Sequence, residues 1–275
     1  MYTRQVLPNE TLPSLPYLKL VGEGLSLLDE SNDLHKVKLA QSKFLLAKDI
    51  SDHFSLAKAG ICLGYLYESW SGDEKLLLSR ANQHCEEAKI AQKSNALVAT
   101  ANGFLLRRTG RLDEAITYIE QQLIDFPTSE DLLIEKGNIL LELFRQSGGT
   151  ESLLENAKSS LQQAAQLEPT LWKSHFFLGL VEWTQGHQRA AVDATSVAAK
   201  LNPNDLVLSN MATLSFCIGD IEPAKNYVHQ ALLKRPNSYL SLEKMSMLNY
   251  YSEDFQSAID YRLKSITNAG ESSIH

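Results

Sequence analysis

The 275-residue sequence predicts an all-α solenoid of about seven helix-turn-helix repeats. Three observations carry that prediction. Small residues return at a spacing near 34, prolines close successive segments at one phase, and the apolar positions between them keep helical periodicity. TGRLDEAITYIEQQLIDFP (109–127), QGHQRAAVDATSVAAKLNP (185–203) and IGDIEPAKNYVHQALLKRP (218–236) share few side chains. Each still has a Gly, an Ala five residues later and a closing Pro. A pattern kept by size and spacing, with chemistry left free, points to packing rather than catalysis.

The small residue in the first half of each unit falls at Gly64, Gly103, Gly137, Gly179, Ala212 and Ser246, in steps of 39, 34, 42, 33 and 34. The second-half marker falls at Ala81, Ala115, Ala157, Ala191, Ala224 and Ala258, in steps of 34, 42, 34, 33 and 34. Within a unit the two markers are 12 apart in four cases, but 17 apart in Gly64→Ala81 and 20 in Gly137→Ala157. Those two units carry the loop residues WSGDE (70–74) and RQSGGTE (145–151), and insertions of five and eight residues account for the longer spacings.

The repeats follow in order at 15–52, 57–95, 96–129, 130–171, 172–204, 205–238 and 239–272, between an N-terminal extension (1–14) and a tail (273–275). The first rests on LAQSKFLLAKDI (39–50), where Ala40, Phe44 and Ala47 take second-helix places; its first helix, with Gly22 and Gly24, departs from the pattern. In the fifth, Leu171, His175, Leu178 and Glu182 fall about a helical turn apart and Gly186 ends the helix. Pro203 then forbids continuation of the next helix, as Pro127, Pro169 and Pro236 do elsewhere. A Gly on the first helix facing an Ala on the second lets two axes approach closely. Neither helix covers its apolar face alone, so successive pairs must stack.

Helix pairs of 34 residues with Leu178-Gly179, Gly186, Ala191, Ala198 and Pro203 closely resemble the tetratricopeptide repeat. The 205–238 unit carries Asn210, Ala212, Gly219, Ala224, Tyr227, Ala231 and Pro236 in the matching places. The resemblance spans nearly the whole chain. It implies a right-handed superhelical solenoid whose first helices line a concave groove. LEPTLWKSHFFLG, LNPND and YYSEDFQSAI are further similar to repeat regions of bacterial signalling proteins, where such repeats follow a Ser/Thr kinase, a nucleotide cyclase or a winged-helix domain. None of those domains is present in these 275 residues.

Composition narrows the function classes. The net charge of −7 is spread along the chain, without the concentrated basic footprint nucleic acid requires. No apolar run is long enough to cross a membrane, and MYTRQVLPNETLPSLPYLKL lacks a secretory apolar core. Three cysteines at wide spacing, Cys62, Cys85 and Cys217, form no disulfide framework and fit a reducing cytoplasm as buried small hydrophobes. His84 and Cys85 point about 100° apart on a helix and cannot chelate one metal. Gly22 to Gly24 form no phosphate loop, and no strained nucleophile turn is present. No catalytic residue, metal or cofactor is expected.

The register places Tyr65 and Phe104 on the groove face of the second and third units, and Asn138 on that of the fourth. Lys173, Phe176, Phe177, Leu180 and Trp183 follow in the fifth, with Asn210, Phe216 and Tyr250 beyond. Such a face offers apolar pockets to an amphipathic helix or extended peptide; the alternative for each aromatic is packing against neighbouring units. A chaperone-tail carboxylate clamp, which the family builds from Lys, Asn and Arg on three successive first helices, finds only Lys173. Arg107, Arg108 and Arg111 read as helix-end charge. The expected role is a protein–protein interaction scaffold in signalling, with a cargo adaptor or a self-assembly module as alternatives. The last helix shows Ile259, Leu263 and Ile266 on one face, which suggests a homodimer through that end.

Overall fold

The computed structural model describes residues 12–30, 33–70, 73–92 and 95–272; the tail and most of the expected N-terminal extension lie outside them. Among the described residues there is no strand. The chain divides into two units, with the division between Thr109 and Gly110. The first contains α1 (Leu15–Glu30), α2 (Leu34–Ile50), α3 (Ser55–Glu68), α4 (Glu74–Ala91) and α5 (Ala96–Arg108). The second contains α6 (Leu112–Asp125), α7 (Glu130–Ser147), α8 (Glu151–Leu167), α9 (Trp172–Thr184), α10 (Gln188–Leu201), α11 (Asp205–Cys217), α12 (Ile221–Lys234), α13 (Tyr239–Tyr251) and α14 (Phe255–Ser272). Each is a stack of helical hairpins in which an element packs against its sequence neighbours, and α3 also meets α5, as α7 meets α9. This is the repeat arrangement of a helical solenoid.

Local chemistry sets the helix ends. Asn95, Ser129, Asn204 and Ser238 cap α5, α7, α11 and α13, each side chain accepting from a backbone N–H in the first turn. The turns before α10 and α12 are closed by Gly186 and Gly219 at φ +81° and +89°, where a side chain is disfavoured. The matching turn before α14 carries Glu253 at φ +62°.

The insertion around 145–151 does not form a long loop. α7 is 18 residues against 13 for α9, and α8 is 17 against 14 for α10. All eight extra residues therefore extend helices, leaving a turn of only Gly148 to Thr150. The reason is apolar continuity: Phe144 and Leu153 carry the stripe across the insertion and pack on the Leu154–Leu161 core.

In the first unit the departure at Gly24 has a packing cause, whereas a Cβ at Gly22 would meet open space. Phe44 of α2 is fully buried, with Gly24 of α1 on one side and Gly60 of α3 on the other. A Cβ at Gly24 would fall 2.5 Å from the Phe44 ring, and one at Gly60 would meet the same ring. A large side chain on the second helix is thus accommodated by hydrogen atoms on both neighbours. Truncating such a ring to Ala costs roughly 3–5 kcal/mol.

The cysteine expectation is corrected here. Cys62 of α3 and Cys85 of α4 form a disulfide, with Cα atoms 5.3 Å apart and both residues fully buried. Sequence spacing could not reveal the pairing, because it depends on how two helix faces meet. Cys217, expected to be buried, is an exposed free thiol at the end of α11.

Candidate functional site

In the second unit α9 supplies five of the sequence-predicted groove residues, and packing sorts them. Phe176 is 3% exposed and joins Trp172, Ala198 and Val207 in one cluster. Its ring sits edge-on to Phe177 at 5.2 Å. Phe177 and Leu180 are half-buried against that cluster, and Trp183 is half-buried near the end of the helix. The Lys173 ammonium lies 5.9 Å from the Trp172 ring. Asn138 is buried in α7, and half-buried Asn210 turns its amide back to the Leu206 carbonyl at 3.0 Å. Phe176 and Asn138 therefore support the surface from within instead of lining it. The helical period places each on a face but does not say which neighbour covers that face.

The same holds in the first unit. Phe104 belongs to the core, edge-on to Tyr67 at 5.5 Å and covered by the Arg107 guanidinium at 4.7 Å. Tyr65 is half-buried, stacked on His84 of α4. Arg108 donates to Ser69 and Glu74 and lies over Trp70, while Arg111 of the second unit is paired with Glu114. These arginines are engaged within the fold.

The open surface lies at α11, α13 and α14. Ala212, Thr213 and Phe216 follow one another on α11; Lys244, Met247 and Tyr250, three residues apart, share one face of α13. Phe255, Ile259 and Arg262 continue at helical spacing on α14. Together they border an open groove of about 830 Å³ with an almost wholly apolar lining. Tyr250 is 59% exposed and Phe255 55%, their rings edge-on at 5.7 Å. Phe216, half-buried, contacts Tyr251 at 5.0 Å. Of the sequence-predicted residues, Phe216 and Tyr250 are thus brought together. The α14 side of the groove was missed, although the spacing of Tyr250, Phe255 and Ile259 held the signal.

Two cations border this groove: Arg262, which is paired with Glu243, and Lys244. Lys244 Nζ donates to the Ser209 carbonyl at 2.9 Å, to Ser209 Oγ at 2.6 Å and to Thr213 Oγ1 at 3.0 Å. All three ammonium protons are spent on neutral oxygens. Among the described residues no carboxylate lies within ion-pair distance; Glu243, its neighbour, is paired with Arg262. Burial pushes the Lys244 pKa below the ordinary lysine value.

Elsewhere charges are matched. Glu182 of α9 is buried and accepts from Lys158 Nζ of α8 and His187 Nδ1, each at 2.8 Å. Burial alone would raise its pKa, but the hydrogen bonds from Lys158 and His187 outweigh it and hold the carboxyl below the usual range. Among the described residues no group of three His, Cys, Asp or Glu side chains is placed to hold a metal, and no helix is long and apolar enough to cross a membrane.

No protein-family description matches the chain, and no curated protein does. Solved structures do. TTC0263, a tetratricopeptide-repeat protein of Thermus thermophilus, aligns with 76% of this chain and 98% of its own at 17% identity and a TM-score of 0.57. A tetratricopeptide repeat protein from Parabacteroides merdae covers 92% of this chain and 93% of its own at 12% identity, TM-score 0.53. MamA covers 63% and 97% at 18% identity, TM-score 0.55. At these identities the likeness is one of fold, and the fold is that of tetratricopeptide repeats.

Proposed function

We propose that this chain is a non-enzymatic interaction module that binds a helix or peptide of a protein partner along the α11–α13–α14 groove. The observation carrying this reading is the exposure of Tyr250, Phe255 and Ile259 around an apolar groove of about 830 Å³. Large apolar side chains grouped in a concave surface mark sites where another chain is buried. Phe177, Leu180, Trp183 and Lys173 on α9 form a lesser part of this reading within the second unit. The charge of −7, spread along the sequence, favours protein over nucleic acid as partner.

A place in a bacterial signalling system rests on the resemblance of the regular units to repeat regions of such proteins. The expected cytoplasmic location rested on cysteine count, and the Cys62–Cys85 bond favours an oxidising compartment instead. The role of interaction module needs neither assumption. Self-assembly is the second reading, favoured by Ile259, Leu263 and Ile266 standing more than half exposed on α14.

Capture from lysate by the full chain and by a Phe216→Ala/Tyr250→Ala variant, compared by quantitative mass spectrometry, tests the main reading. Specific proteins should be retained by the wild type and lost by the variant. An identical captured set for both would refute the groove. Sedimentation of wild type against Ile259→Asp tests self-assembly, which a monomer at tens of micromolar would rule out.

A further inference from the structure

We infer that the α11–α13–α14 groove selects an amphipathic helix bearing a carboxylate among its apolar side chains, and that Lys244 reads that carboxylate. This deepens the reading of the groove as a binding surface and rests on it. Charge complementarity inside an apolar setting favours such a ligand. Lys244 is held in place from two sides by Ser209 and Thr213 of α11, so its ammonium does not swing free into solvent. Its hydrogen bonds are satisfied, but its charge is not compensated.

A purely apolar helix laid over Met247, Tyr250, Phe255 and Ile259 would strip the remaining water from that charge and offer nothing in return. A helix with one Asp or Glu facing position 244 supplies the missing anion, and a charge-assisted bond to the carboxylate can replace the contact to Thr213 Oγ1, the more exposed of the three. The groove therefore discriminates by penalising the wrong ligand as well as rewarding the right one. Arg262 does not compete for the anion, because Glu243 already engages it.

The test is selection from a random peptide library displayed on phage, panned against the full chain. Enriched sequences should place apolar residues at helical spacing with one Asp or Glu at a fixed position among them. A synthetic peptide of the enriched sequence should lose about tenfold in affinity when that acid is changed to its amide. The same loss should appear when the original peptide meets Lys244→Met, with no further loss when both changes are combined, and Lys244→Arg should restore much of the binding. Circular dichroism melts of the variants separate recognition from folding. Enrichment of apolar peptides with no fixed acid, or an acid effect that persists in Lys244→Met, overturns the role of Lys244 and leaves the groove standing. Failure to enrich any peptide overturns the groove as well. A dimer that excludes the peptides and is broken by Ile259→Asp would seat a second copy there and overturn the inference too.

Discussion

Gly179 of α9 and Thr195 of α10 approach so closely that no side chain fits between them. A Cβ at position 179 would collide with Thr195 Oγ1 and come within 3.2 Å of the Ala191 carbonyl and 3.3 Å of the Thr195 backbone nitrogen. Thr195 Oγ1 is itself fixed by a 2.8 Å bond to Ala191 O, so it cannot turn aside cheaply. The recurring Ala keeps its own turn small, and the residue one turn later meets the glycine; Leu161, one turn beyond Ala157, stands over Gly137 in the same way.

Gly179→Ala should therefore destabilise the second unit. The gain in helix propensity is about 1 kcal/mol, and overpacking between fixed backbones costs roughly 1–3 kcal/mol. Clash wins because the nearest atom, Thr195 Oγ1, sits on a short branched side chain held by its bond to Ala191 O, while the two backbone contacts are only tight. In a Thr195→Ala background the same change should be close to neutral. Urea denaturation of the four proteins checks this, and additive effects would contradict the contact.

Glu253 offers the opposite sign. It occupies a left-handed backbone conformation at the turn position where Gly186 and Gly219 stand in preceding hairpins. Glu253→Gly should raise stability by about 1 kcal/mol, while Gly219→Ala should lower it by a similar amount. Thermal melts of the two variants decide it.

The thiols can be counted directly. In the native chain without reductant, one thiol should react with a thiol-specific reagent, namely exposed Cys217; after reduction and unfolding, three should react. Reduction should also lower the melting temperature, since a bond across 23 residues restrains the unfolded first unit by roughly 2–4 kcal/mol. Three reactive thiols in the unfolded but unreduced chain would show the bond to be absent.

Acid should reveal Glu182. Its folded pKa lies below the ordinary value near 4.5, so its contribution is complete above that value and is lost as pH falls through the folded one. Glu182→Gln should lose roughly 1–3 kcal/mol near neutral pH, because Lys158 and His187 then face no anion. The difference between variant and wild type should shrink as the pH falls through the folded pKa. Melts from pH 7 to pH 3 follow the convergence; a constant gap would remove the carboxylate from the account.

How much of this was legible beforehand differs between fold and site. The helical repeat was, because its markers are local: Pro203 stops a helix wherever it occurs, and Gly186 suits a left-handed turn whatever surrounds it. The residues at 145–151 misled, since Ser-Gly-Gly suggests a loop while Phe144 and Leu153 kept the apolar stripe running into longer helices. For the site, register put Phe176 and Tyr250 in the same class, yet one is core and the other surface.

Sequence by itself determined the all-α repeat and the places where small side chains must stand, because size, turn geometry and helical period act over a few residues. Tertiary structure alone decided that Cys62 meets Cys85, that Phe44 lodges between two glycines, and that Lys244 at the groove meets only neutral oxygens. Those outcomes depend on which helix covers which face, and so on contacts between residues distant in the chain, which a 3.6-residue period does not encode.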